Sequence, residues 1–246
     1  MNKSILMCLS LLVSFAFNTA VAEVTVTVNK QQYVFAHEPR LVEILAPIAN
    51  QKNWYWPGAA LYQDNDIKLE KMRFSVLDQL STLAKLYRTE EPGMTQSLEQ
   101  LQVTIKGWRL ARRLPIKIDY DLARIVEAAN PRLPKGKYVL DLAPRMNTVQ
   151  LFGAVNKTGE IPHLAHADIS EYITADNRAD LADKDYVMLI QADGRKITAP
   201  VAYWNKAHQE VMPGSQLFVP FKASLFHPEH TSINLQITTL ATNRVR

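Results

Sequence analysis

Val24, Val26 and Val28 alternate with Thr25, Thr27 and Asn29, a period of two that predicts a half-buried strand. A second short strand around residues 32–35 completes a hairpin through Asn29-Lys30. Past Pro39 the apolar positions change to Leu41, Ile44, Leu45 and Ile48, the spacing of an amphipathic helix that Pro47 ends or kinks. Asn53-Trp54-Tyr55-Trp56-Pro57-Gly58 then supplies an aromatic run and a turn. Phe74, Leu77, Leu80, Leu83, Ala84 and Tyr87 recur at helical intervals and predict a helix over residues 72–87 with one buried face. Pro92-Gly93 breaks that stretch, and residues 95–105 predict another helix running into a strand. A helical insertion thus interrupts a chain that opens as β structure.

Residues 113–121 alternate again, with Leu114, Ile116 and Ile118 against Lys117 and Asp119. A short helical piece over 122–129 ends at Asn130-Pro131, a strand follows at 138–142, and Pro144 marks a border near Arg145. Beyond it, Val149 and Leu151 lead to a turn at Lys157-Thr158-Gly159-Glu160, and residues 169–173 predict a short helix. Strands at 186–190 and 196–199 flank Ala192-Asp193-Gly194-Arg195, whose Asp-Gly pair is a hairpin signal. Both halves open with a hairpin and then a helix, an order that suggests divergent duplication. The tail fits two readings: Ile233, Leu235 and Ile237 alternate as in a strand, and Ile233, Ile237 and Leu240 are spaced as in a helix.

The first residues change the picture of where the protein works. Lys3, an apolar run from Ile5 to Phe17 and the small residues Ala20-Val21-Ala22 form the three parts of a secretory signal, with cleavage expected after Ala22. The apolar run is short for a membrane span. The sole cysteine, Cys8, leaves with residues 1–22, so the mature chain is expected to hold no disulfide, thiolate metal site or cysteine nucleophile. A hydrophobic content of 47% and a charged content of 21% exclude wholesale disorder. Loss of Lys3 takes the formal net charge from +4 to +3, too little to specify a partner by itself.

The charge is concentrated at Lys106, Arg109, Arg112, Arg113 and Lys117, a stretch suited to acidic sugars or phosphates and equally to a solvated face. Nucleic acid is not an expected partner of an exported chain. His163 with His166, and His227 with His230, are spaced for a shared metal on a helix, but neither pair matches H-E-x-x-H, and Pro228 breaks the second. Asp64-Asn65-Asp66 opens like a calcium loop without its closing residues, so no metal is assigned. Acid pairs such as Asp119 with Asp121, or Glu90 with Glu91, do not resemble two carboxylates facing across a sugar cleft. There is no nucleophile elbow, P-loop or dinucleotide fingerprint, and no cofactor is implied. Trp54, Tyr55, Trp56, Trp108, Tyr203 and Trp204 are either core filler or platforms for sugar rings.

Residues 149–155 with Lys157-Thr158-Gly159, then 185–190, Asp193-Gly194-Arg195 and the run from Pro213 to Pro220, resemble the soluble-ligand-binding β-grasp (SLBB) repeat of bacterial polysaccharide export proteins. Trp56-Pro57-Gly58-Ala59, the segment from Arg113 to Asp119 and Asn130-Pro131-Arg132-Leu133 narrow the resemblance to GfcC-type capsule biosynthesis proteins, over nearly the whole mature chain. Asp119-Tyr120-Asp121 departs from the family, which more often has a proline between the acids.

The resemblance implies an α+β protein of the periplasm with two β-grasp domains, a helical insertion in or beside the first, and a C-terminal amphipathic helix. The expected division is a signal peptide over 1–22, domains over 23–145 and 146–224, and the helix over 225–246. It implies a non-enzymatic accessory of capsule or exopolysaccharide production whose partners are acidic polysaccharide or export proteins, with no membrane span in the mature chain. The rival reading is a periplasmic enzyme that modifies or trims the polymer. Candidate ligand contacts are Arg113, its neighbours Arg109 and Arg112, and Trp56. Arg113 precedes the Leu114–Ile118 alternation in the family's matching segment; the structural alternative is a buried pair with Asp119 or Asp121.

Overall fold

A computed structural model describes residues 23–89, 91–223 and 229–246. The expected signal peptide, Cys8, Glu90 and the His227-Pro228 pair lie outside them. The chain opens with strands β1 (Val24–Val28) and β2 (Gln31–Phe35). Asn29 and Lys30 join them, both with positive φ, 48° and 72°, as a tight hairpin turn requires. Helix α1 (Leu41–Leu45) follows, and Glu43 returns a side-chain bond to the Arg40 backbone N–H. Next come β3 (Ala60–Gln63), the long helices α2 (Ile67–Tyr87) and α3 (Pro92–Lys106), and the two-residue strands β4 (Arg109–Leu110) and β5 (Arg112–Arg113). Helix α4 (Tyr120–Ile125), capped by the Asp119 side chain, leads to β6 (Gly136–Asp141).

The second half runs β7 (Thr148–Gly153), β8 (Gly159–Pro162), β9 (Tyr186–Ile190), β10 (Lys196–Pro200) and β11 (Gln216–Val219). Helix α5 (Glu229–Thr242) and strand β12 (Arg244–Val245) complete the chain. The fold is α+β, with two five-stranded mixed sheets in the orders β2-β1-β6-β3-β5 and β8-β7-β11-β9-β10. The two orders correspond strand for strand. In each, the first hairpin strand pairs parallel with the last strand, and the third strand lies antiparallel on that last strand's other side.

In the first sheet Val24, Val26 and Val28 point inward, onto Leu41, Ile44 and Leu45 of α1. A second core joins the other sheet to α2, α3 and α5 through Val76, Leu80, Leu98, Phe152, Phe218 and Ile237. The helical pair is therefore inserted between strands of the first sheet yet packs in the core of the second. Each of these fully buried aliphatic side chains contributes roughly 1.5–3 kcal/mol by leaving water.

Two expectations are corrected. Phe74 is 70% exposed, because it lies two residues before buried Val76, about 200° around the helix. The alternation from Leu114 to Ile118 is not a strand: after Leu114 N–H donates to the Leu61 carbonyl at 2.8 Å the pairing ends, and the chain runs on through a bend at Pro115 to Asp119 as a loop. Of the two readings of the tail, the helical one describes residues 229–242, a short strand follows, and Ile233, Ile237, Leu240 and Ala241 are all in the second core.

Candidate functional site

Arg113 occupies the last position of β5, paired with Tyr62 across the sheet edge. Its backbone N–H donates to Asn243 Oδ1 at 2.8 Å, which ties the sheet edge to the residue just after α5. The guanidinium lies over the Tyr62 ring, 5.8 Å from its centroid, and Nη2 donates to the Ala192 carbonyl at 2.8 Å. That carbonyl belongs to the turn between β9 and β10, closed by Gly194 N–H donating to Gln191 O at 2.8 Å. Gly194 has φ +91°, and a Cβ there would stand 2.6 Å from Arg113 Nε. The second unit's turn is thus shaped to receive a side chain from the first.

The same seam is closed by the last residues. Tyr62 Oη donates to the Arg244 carbonyl at 3.0 Å, and Arg246 Nε donates to Asp141 Oδ2 at 2.9 Å with both side chains largely buried. Arg246 also donates to the Gly58 carbonyl. Burial pushes the Tyr62 phenol above its ordinary pKa against the opposing influence of nearby Arg113.

Beside this seam lies a cleft of about 700 Å³. Trp56 and Pro57 line one wall, Leu114 to Asp119 another, the Asp193–Arg195 turn a third, and Thr242 and Asn243 close it. Its acids are engaged: Asp193 pairs with Arg195 at 2.7 Å, and Asp119 Oδ1 accepts from Leu122 N–H at 3.0 Å. Arg113 has no acid partner within 4 Å among the described residues, which removes the buried-pair reading with Asp119 or Asp121. A guanidinium and the Lys117 ammonium beside an indole and aliphatic side chains can hold an anion that also carries an apolar face.

Among the sequence candidates, Arg113 and Trp56 meet in this cleft. Arg109 and Arg112 do not line it. Arg109 reaches Asp64 at 3.6 Å, and Arg112 bonds Gln63 and reaches Asp66 at 4.0 Å, so both arginines are spent on the start of the helical insertion. Trp54 and Trp108 are buried, whereas Tyr203 and Trp204 are exposed. The other residues that shape the site, Tyr62, Ala192, Gly194 and Asn243, are brought to Arg113 from distant parts of the chain. Only the Asp193-Gly194 turn carried a local signal, and that signal spoke of a hairpin. Among the described residues no group of three or more His, Cys, Asp or Glu side chains is placed to hold a metal, and no helix is long and apolar enough to cross a membrane.

The chain is 31% identical over 193 residues to the uncharacterized protein YjbG of Escherichia coli (strain K12), covering 78% of each chain. Residues 19–145 match the N-terminal family of capsule biosynthesis GfcC proteins, and residues 157–246 match the C-terminal one. The two matches meet across the seam at which Arg113 touches Ala192, and the chain belongs to the GfcC capsule biosynthesis family.

Proposed function

We propose that this protein is a non-enzymatic periplasmic accessory of capsule or exopolysaccharide assembly that holds an acidic glycan in the seam cleft. The carrying observation is Arg113: fixed by Tyr62 and Ala192, without an acid partner among the described residues, and facing an apolar wall beside Lys117. A sugar acid presents that combination, a carboxylate next to the C–H face of a ring. The matching strand orders support reading both units as β-grasp domains of the SLBB type, with a helical insertion in the first and a C-terminal helix closing the seam. The N-terminal pattern supports export through a cleaved signal peptide.

The test is to incubate the purified protein with the extracellular polysaccharide of its own host, then measure both retention on the polymer and chain length. Retention that Arg113→Ala removes, with chain length unchanged, is the expected result. Shortening or new chain ends would contradict the non-enzymatic reading. Binding to an export protein with no retention on glycan would move the cleft's ligand from sugar to protein.

A further inference from the structure

Tyr203 and Trp204 are the most exposed aromatic pair among the described residues, at 102% and 71% relative exposure. Their backbone is not loose. Ala202 N–H donates to Asn205 Oδ1 at 3.0 Å, Asn205 N–H to Ala202 O at 3.1 Å, and Asn205 Nδ2 to Asp185 O at 3.2 Å. A turn held by these bonds keeps two large rings in water, where nothing in the fold repays their exposure. Tyr186, 38% exposed, faces Pro200 at the same end of the β9–β10 hairpin.

The position of this turn relative to the cleft gives the pair a use. Strand β10 has one end at the Asp193–Arg195 turn that lines the cleft and runs at its other end toward Tyr203. Its five residues, at about 3.4 Å each, separate the two ends by about 17 Å. It is also the free edge of its sheet, with Lys196 and Thr198 exposed. We infer that Tyr203 and Trp204 form a second contact for the same glycan, so that the protein reads an extended chain running from the seam cleft along β10 to the aromatic turn. This inference rests on the proposed glycan reading of the cleft.

Chemistry favours a sugar chain over a membrane surface at this end. Of the cations near the turn along the chain, Lys206 is held by the buried Asp168 carboxylate at 3.5 Å, and exposed Lys184 stands between Asp183 and Asp185. An anionic leaflet would call for unpaired basic groups around the rings. Flat rings on a fixed turn match the apolar faces of sugars.

The probe is a length series of acidic oligosaccharides released from the host's extracellular polysaccharide, titrated into the full mature chain. Affinity is expected to rise about tenfold between fragments that fill only the cleft and fragments longer than about 17 Å. Trp204→Ala should abolish that rise and leave short-fragment binding unchanged, Trp204→Phe should retain most of it, and Arg113→Ala should weaken every length. Equal affinity of the parent for short and long fragments, or a Trp204→Ala protein that keeps the rise, would overturn the inference and leave the cleft reading standing. Failure of all fragments to bind the parent would strike the cleft reading first. Partition of the parent, but not Trp204→Ala, onto phosphatidylglycerol–phosphatidylethanolamine vesicles would also overturn the inference, by assigning the turn to a membrane.

Discussion

Arg113 Nη2 donates to the Ala192 carbonyl at 2.8 Å, a bond that ties the edge of one sheet to the hairpin turn of the other. The contact is possible because residue 194 is glycine. Gly194→Ala would place a methyl 2.6 Å from Arg113 Nε and force a left-handed φ on alanine. We predict a loss of about 1–3 kcal/mol from the strained turn, together with displacement of the guanidinium and loss of glycan binding. A thermal melt and a binding titration on the same sample check this, and a variant that binds as the parent does would detach the turn from the site.

The Arg246–Asp141 pair should matter to stability more than surface pairs do. Asp141 is 9% exposed, and Arg246→Ala would leave its carboxylate buried beside the seam. We predict a cost of about 3–5 kcal/mol, measured by denaturant unfolding. Arg109→Ala, whose partner Asp64 is 3.6 Å away on the surface, should cost less than about 1 kcal/mol.

Helix α5 should be required for folding of the second core. Ile237 is fully buried, Asn234 Nδ2 donates to the Phe221 carbonyl at 2.7 Å, and Gln216 Nε2 donates to the Ala241 carbonyl at 2.9 Å. Ile237→Ala should cost about 2–5 kcal/mol, and truncation after His227 should abolish cooperative unfolding of the second sheet. A truncated chain that melts like the parent would contradict this.

Asp168 gives a pH prediction. Burial would raise its pKa, but the Ser170 hydroxyl, the backbone N–H groups of Gln209 and Ser170, and Lys206 outweigh that and hold the carboxyl at about 2, below its ordinary 3.8. Its folded-state pKa is depressed, so its contribution, about 2 kcal/mol, is present above roughly pH 4 and is lost as pH falls through 2. Asp168→Asn should lower stability at neutral pH and flatten the acid limb of the stability curve. An unchanged slope between pH 4 and 2 would show that the carboxylate does not carry it.

What the sequence disclosed follows from range. Val24, Val26 and Val28, the Asn29-Lys30 turn and the Asp193-Gly194 turn are local patterns, and local sterics and burial decide them. Phe74 misled because helical spacing identifies a stripe, whereas tertiary packing decides which stripe is covered. The segment from Leu114 to Ile118 alternates, but alternation does not reveal whether a partner strand is available, and Pro115 takes it into the cleft wall. Of the basic stretch, only Arg113 and Lys117 reach the cleft, because Asp64, Asp66 and Gln63 draw Arg109 and Arg112 elsewhere. Contacts such as Arg113 with Ala192 span 79 residues of chain, and no short pattern encodes them.

The role proposed for Arg113 is that of a ligand contact, not a structural ion pair. Its removal breaks one bond to a backbone carbonyl and the contact over the Tyr62 ring, with no buried acid left unpaired, so Arg113→Ala should fold and lose about 1–3 kcal/mol. The direct measurement is calorimetric titration of parent, Arg113→Ala and Arg113→Lys with an acidic oligosaccharide of the host polymer, alongside their melting curves. A folded Ala variant with affinity reduced at least about tenfold is expected, and a Lys variant that recovers little because it lacks the planar fork. A folded Arg113→Ala protein that binds as tightly as the parent would contradict it.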